Sequence, residues 1–207
     1  MNSMRMMVAL MLVAVAGCAT MSGDSASGAR AHAIALMKSG FKANGQATMD
    51  RLDQDPIQQL CDGGADDDVR AARRAALEKQ ELDAVRFPAD GKMLGSYAAG
   101  EKVAQNGLGF QWSDKAGSAA GGNCYACHQL SKQEISFGNL GPSLYQYGKL
   151  RGSDDAVMRY TWTRIYNAKA YNACSNMPRF GHKGILTEQQ MKDVMALLFD
   201  PASPVNQ

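Results

Sequence analysis

Gly122-Asn123-Cys124-Tyr125-Ala126-Cys127-His128 is the stretch on which the reading of this chain turns. Two cysteines three apart lie about one helical turn from each other, on one side of the backbone. At that spacing each thiol can add to one vinyl group of a porphyrin, while the adjacent histidine turns its imidazole toward the iron. The pattern predicts one covalent haem c, held through Cys124 and Cys127, with His128 as an axial ligand. Two other chemistries use close cysteine pairs. A redox dithiol needs a βαβ context, and no strand pattern of any length occurs here. A zinc site needs further ligands, and Cys127 beside His128 makes an awkward pair.

Downstream lies Gly141-Pro142-Ser143-Leu144. Gly-Pro is a turn signal in its own right. The distance from His128 is similar to that in small cytochromes c, and this resemblance implies that the Pro142 carbonyl accepts a hydrogen bond from the ligand imidazole, fixing its tautomer. A second axial ligand must come from elsewhere. Of 13 methionines, five fall in the first eleven residues. Met191 and Met195 share the apolar face of a terminal helix and read as core. Met177 sits in Asn176-Met177-Pro178, where the proline biases it toward extended backbone that can present a side chain across a haem face. Its rivals are His182, five residues on, and His32. A soft thioether would favour ferrous iron and raise the reduction potential.

Upstream, Arg5 followed by the apolar run Met6–Ala16 reads as a signal peptide over residues 1–17, too short to anchor as a membrane span. Val15-Ala16-Gly17-Cys18 fits a lipobox, which would make Cys18 a lipidated first mature residue; cleavage after Ala16 is the other reading. Both place the mature protein in the periplasm, soluble or membrane-tethered. The formal net charge of +2 gives no reason to expect a nucleic-acid partner. Five cysteines are present, and with Cys18 and the motif pair assigned, Cys61 and Cys174 remain. In an oxidising compartment they are expected to form a disulfide, the alternative being two buried thiols.

The rest of the chain reads as helices. Residues 18–30 are small and polar and read as a flexible tether, and 31–86 as a helical N-terminal extension. Asp66-Asp67-Asp68 opens its main helix, a better reading of three carboxylates than a metal site. From Phe87 to Gln207 a mainly α, class I cytochrome c-like domain is expected. Its first helix runs from Ser96 to Asn106 and stops at Gly107. Another starts at Ser153-Asp154-Asp155, and Thr187-x-x-Gln190 caps the last, whose face carries Met191, Val194, Met195 and Leu198. The first and last of these should cross.

Three segments go further. Gly122–His128, Gly138-Asn139-Leu140-Gly141-Pro142-Ser143-Leu144-Tyr145 and Tyr171-Asn172-Ala173-Cys174-Ser175-Asn176-Met177-Pro178-Arg179-Phe180-Gly181 closely resemble the SoxX family, the small cytochrome subunits of the SoxAX complex of bacterial thiosulfate oxidation. The third is the most specific; Phe87 to Ala116 and Cys61 also look like the longer members of that family, so the likeness covers most of the mature chain, weakly before Cys61. The resemblance implies a heterodimer with a SoxA-like monohaem or dihaem cytochrome bearing the catalytic centre. That complex joins thiosulfate oxidatively to a cysteine of the SoxYZ carrier protein. This chain would contribute no catalytic residue and would relay electrons to a downstream cytochrome c. From the residues alone, a free periplasmic carrier and a gas-binding haem sensor stay open. Some of Lys132, Lys149, Arg151, Arg179 and Lys183 are expected to rim the haem edge and steer an acidic partner, the alternative being an ordinary solvated surface.

Overall fold

The computed structural model describes residues 23–62 and 67–207 of the 207, with side chains from Ser27 onward. The lipobox at Cys18 and Asp66 lie outside the described residues. The chain divides into a unit ending at Lys42 and a unit Ala43–Gln207. Helix α1, Gly23–Gly40, belongs to the first. Residues 23–30 are thus helical rather than a tether: Ala29, Ala31, Ala33 and Ala35 are strong helix formers, and they outweigh the small polar residues between them. The expected extension 31–86 is split, its residues 43–86 sharing the unit of the haem motif.

Within Ala43–Gln207 the elements are helical, and the one β feature among the described residues is a bridge between Asn44 and Ala47. A 3-10 turn, Met49–Leu52, leads to α2, Pro56–Cys61. Asp55 and Gln58 close a capping box around α2, with Pro56 in its first turn, where a missing N–H costs nothing. Helix α3, Asp68–Asp83, starts where the Asp67 carboxylate accepts the Arg70 N–H. Helix α4, Tyr97–Gln105, is capped by Ser96. It ends because Asn106 turns extended, not by a left-handed glycine at Gly107.

Helices α5, Tyr147–Arg151, and α6, Asp155–Tyr166, follow, the latter capped by Asp154. Helix α7, Glu188–Phe199, carries the Thr187/Gln190 capping box. It packs on α4 at Gly100, where a Cβ would lie 2.1 Å from the Asp193 carbonyl oxygen, so only glycine permits this approach. The Asp193 carboxylate accepts the Ser96 N–H at 2.8 Å, and the Gly95 N–H reaches the Lys192 carbonyl at 2.9 Å. Every residue from Met191 to Phe199 is buried, Lys192 and Asp193 included, so α7 is enclosed well beyond its apolar face. Lys192 keeps its charge by pairing with Asp90 at 3.1 Å and Glu188 at 2.9 Å.

The main core gathers Tyr125, Leu130, Trp162, Phe180, Met195 and Leu197, with the Trp162 indole N–H bound to the Arg86 carbonyl at 2.8 Å. A smaller cluster of Ile57, Leu60 and Ala173, flanked by Cys61 and Leu77, joins α2 and α3 to the segment after α6.

Candidate functional site

Cys124–Ala126 forms one 3-10 turn, entered through Asn123 in the left-handed region at φ 45°. The turn brings the Cys127 and His128 N–H groups onto the Cys124 carbonyl at 3.1 and 2.9 Å. Gly122 N–H anchors it to α4 through the Val103 carbonyl at 2.8 Å. Gly121 passes so close to Asn106 that a Cβ would stand 1.8 Å from its carbonyl oxygen. Both motif thiols are free. Cys124 rests against the main core, and burial pushes its thiol up to about 12, so it is a neutral thiol at physiological pH.

The segment 138–144 is stitched alongside this turn. The N–H groups of Gly138, Gly141 and Leu144 reach the carbonyls of Tyr125, Cys127 and Gln129 at 2.8, 2.8 and 2.7 Å. The stitching places the Pro142 carbonyl 2.7 Å from Nδ1 of His128. A carbonyl only accepts, so Nδ1 carries the proton and Nε2 keeps its lone pair for a metal. Gly141 lies against the flat of the ring, where a Cβ would be 2.1 Å from Cε1. Two free thiols, a pre-set imidazole and a glycine that clears its ring fit covalent haem c. Among the described residues no cluster of three or more His, Cys, Asp or Glu side chains could hold a bare metal ion.

Met177 is half-buried against the same core that Cys124 touches. Its N–H is fixed by the Ser175 hydroxyl at 3.2 Å, and Pro178 follows it. Cys174, three residues before, forms the disulfide with Cys61. Of the rivals, His182 turns its Nδ1 to Glu81 at 3.6 Å, and His32 lies exposed on α1 in the other unit. Met191 and Met195 are core, at 3% and 0% exposure.

The basic rim needs correction. Arg179 is 7% exposed and pairs with Asp55 and, at 3.8 Å, with Glu81. Lys183 faces Asp55 at 3.7 Å. Lys132, Lys149 and Arg151 remain at the surface, the first and last over the Tyr145 and Tyr147 rings. Sequence reading missed Asp55 and Glu81 as partners of Arg179; the unread Asp55-Pro56-x-Gln58 capping pattern is the one signal that could have marked Asp55.

A sequence model of the family described as cytochrome c matches residues 98–199. A protein of Aquifex aeolicus (strain VF5), named an uncharacterized lipoprotein, is 36% identical over 154 residues, covering 74% of this chain and 73% of that one. The chain belongs to the cytochrome c family. Haem c binding and electron transfer follow from that membership. The α4–α7 crossing, the stitched motif and the absence of strands among the described residues are the class I cytochrome c architecture expected of it. No described helix is long and apolar enough to cross a membrane.

Proposed function

We propose that this cytochrome c carries one haem, bound by thioethers from Cys124 and Cys127 and ligated axially by His128 and Met177. The haem supplies a one-electron ferric/ferrous couple. His128, oriented by Pro142, sets the donor strength on one side. Met177 on the other side favours the ferrous state. The observation that carries this is the Met177 loop, seated on the core that also holds Cys124.

The finer reading is a SoxX-type subunit of a SoxAX-like complex, with haem held by Phe87–Gln207. It takes electrons from a SoxA-like partner as thiosulfate is coupled to a SoxYZ cysteine, and passes them to a downstream cytochrome c. The Tyr171–Gly181 run supports it, and no catalytic residue is assigned to this chain. Leu108, Phe110 and Trp112, each more than 40% exposed, offer partner contact. Their loop is held rigid: Gln46 donates to the Gly109 and Gln111 carbonyls and Arg51 to that of Phe110. Lys132, Lys149 and Arg151 supply steering. A periplasmic place, with a lipid on Cys18, is supported by the lipobox and by the relative's name as a lipoprotein.

The test is reduction of the purified holoprotein by thiosulfate. The SoxX reading expects reduction only when a SoxA-like cytochrome and a SoxYZ-type carrier are both present, and co-purification with the former. Rapid reduction by unrelated donors, with no effect of those proteins, would make it a free carrier. Carbon monoxide binding as fast as in a five-coordinate haem would make it a sensor.

A further inference from the structure

The loop that carries Met177 is fastened on both sides to the same two helices. Before it, Cys174 is bonded to Cys61 at the end of α2. After it, the buried Arg179 guanidinium donates to the carboxylate of Asp55, which also caps α2. Glu81 of α3 lies 3.8 Å from Arg179 and also accepts from the Asn167 amide. Glu78, one turn earlier, accepts the Ala173 N–H at 2.7 Å. The Lys169 ammonium closes on the Ala173 carbonyl at 2.7 Å. A buried guanidinium with two carboxylates costs desolvation that a well-packed apolar filling avoids, so its worth lies in fixing geometry. The fixed object is short, with Met177 between Cys174 and Arg179.

We propose that Asp55 and Glu81, acting through Arg179 and alongside the Cys61–Cys174 bridge, are positioning residues that clamp Met177 onto the haem iron. The N-terminal segment 55–83 is then a ligand clamp. This rests on Met177 being the sixth ligand, as proposed above. A thioether is a weak ligand, and its hold depends on how seldom the loop opens. An external ligand binds ferrous iron only while Met177 is off, so its binding rate reads the clamp directly.

The experiment uses the full holoprotein, reduced and mixed with carbon monoxide, with the ferric methionine–iron charge-transfer band recorded beside it. Asp55→Asn leaves Arg179 one carboxylate short and should speed carbon monoxide binding by about tenfold or more while weakening the band. Asp55→Glu should restore both. Asp83→Asn breaks the exposed Lys79–Asp83 pair on the same helix and should change neither. Arg179→Lys, which keeps the charge but loses the planar fork, gives a second route to the same readout if Asp55→Asn does not fold. A native protein with the methionine band, whose Asp55→Asn, Glu81→Gln and Arg179→Lys variants all bind carbon monoxide at the native rate, overturns the clamp, even if their melting temperatures fall. A native protein lacking the band, or a Met177→Ala variant that keeps it, overturns the ligand assignment and the clamp with it.

Discussion

Gly141→Ala adds one methyl group at the point where the stitched segment meets the proximal imidazole. Its Cβ would sit 2.1 Å from Cε1, 2.5 Å from Nδ1 and 2.7 Å from Nε2 of His128. Ordinary contact begins at 3.4 Å, so the nearest pair must part by 1.3 Å. The backbone cannot retreat freely, because the Gly141 N–H is held on Cys127 at 2.8 Å. The ring must therefore tilt, and 1.3 Å exceeds the roughly 0.5 Å by which a 2.7 Å Nδ1–H···O=C bond can lengthen. Losing such an outer hydrogen bond weakens metal ligation by about 10- to 100-fold, or about 1.4–2.7 kcal/mol. With His128 ligating iron as proposed, the bond to Pro142 would make it a stronger donor and so favour ferric iron; its loss should raise the potential, by about 59 mV for each tenfold borne by the ferric state alone. The haem should stay attached in denaturing gels, since the thioethers are untouched. The assay is a redox titration with the ferric spectrum followed throughout. A Gly141→Ala protein with the native low-spin spectrum and a potential within about 10 mV of native, well below that 59 mV per tenfold, would refute the role given to this contact.

Gly100→Val should destabilise the fold by about 1–3 kcal/mol, because the clash is with Asp193 backbone rather than a movable side-chain end; urea unfolding followed by circular dichroism reads it, and an unchanged midpoint would refute the close crossing. Removing the Cys61–Cys174 disulfide by a double serine substitution should cost several kcal/mol, about 5 by the chain-entropy argument for a sequence separation of 113, seen in the same assay under non-reducing conditions. His182 gives a pH test. Burial, with Arg179 and Lys183 behind it, outweighs the pull of Glu81 and holds its pKa below the ordinary 6.5. Below pH 6.5 the unfolded chain takes up this proton before the folded one does, so its contribution is intact above 6.5 and falls as pH drops toward the folded value. His182→Asn should flatten that part of the stability curve; urea midpoints of both proteins on either side of pH 6.5 check it.

What could be read in advance was local in sequence. The helix start at Ser153-Asp154-Asp155 and the Thr187/Gln190 box are each written within five residues, and each took the expected form; the haem motif, equally short, folds as one 3-10 turn. The α4–α7 crossing was legible because two amphipathic helices must bury their faces on something. Helix α2 escaped notice because six residues are too few for a periodicity, although its capping box was in plain view. Arg179 is a candidate for the haem rim because basic residues cluster in the segments expected to flank the haem; its burial depends on Asp55, 124 residues away, which no local pattern reports. Lys192 and Asp193 are enclosed for the same reason, their partners Asp90 and Ser96 lying on the far side of the crossing. Asp55 shows how firmly such a partner binds. Burial alone would raise its pKa, yet the Arg179 and Gln58 hydrogen bonds and the charges of Arg179 and Lys183 bring it below 3.8.

The disulfide also alters the topology of the path along which the Met177 loop assembles. In a reduced chain, bringing Asp55 to Arg179 closes a loop of 124 residues, against 14 for His128 to Pro142. Loop-closure entropy makes the longer search less favourable by about 2 kcal/mol. Once Cys61 and Cys174 are joined, the path from Asp55 to Arg179 runs through six residues to the bridge and five beyond it. The Met177 loop then becomes as local as the His128–Pro142 contact, and its ordering is coupled to oxidation of the compartment in which the protein matures.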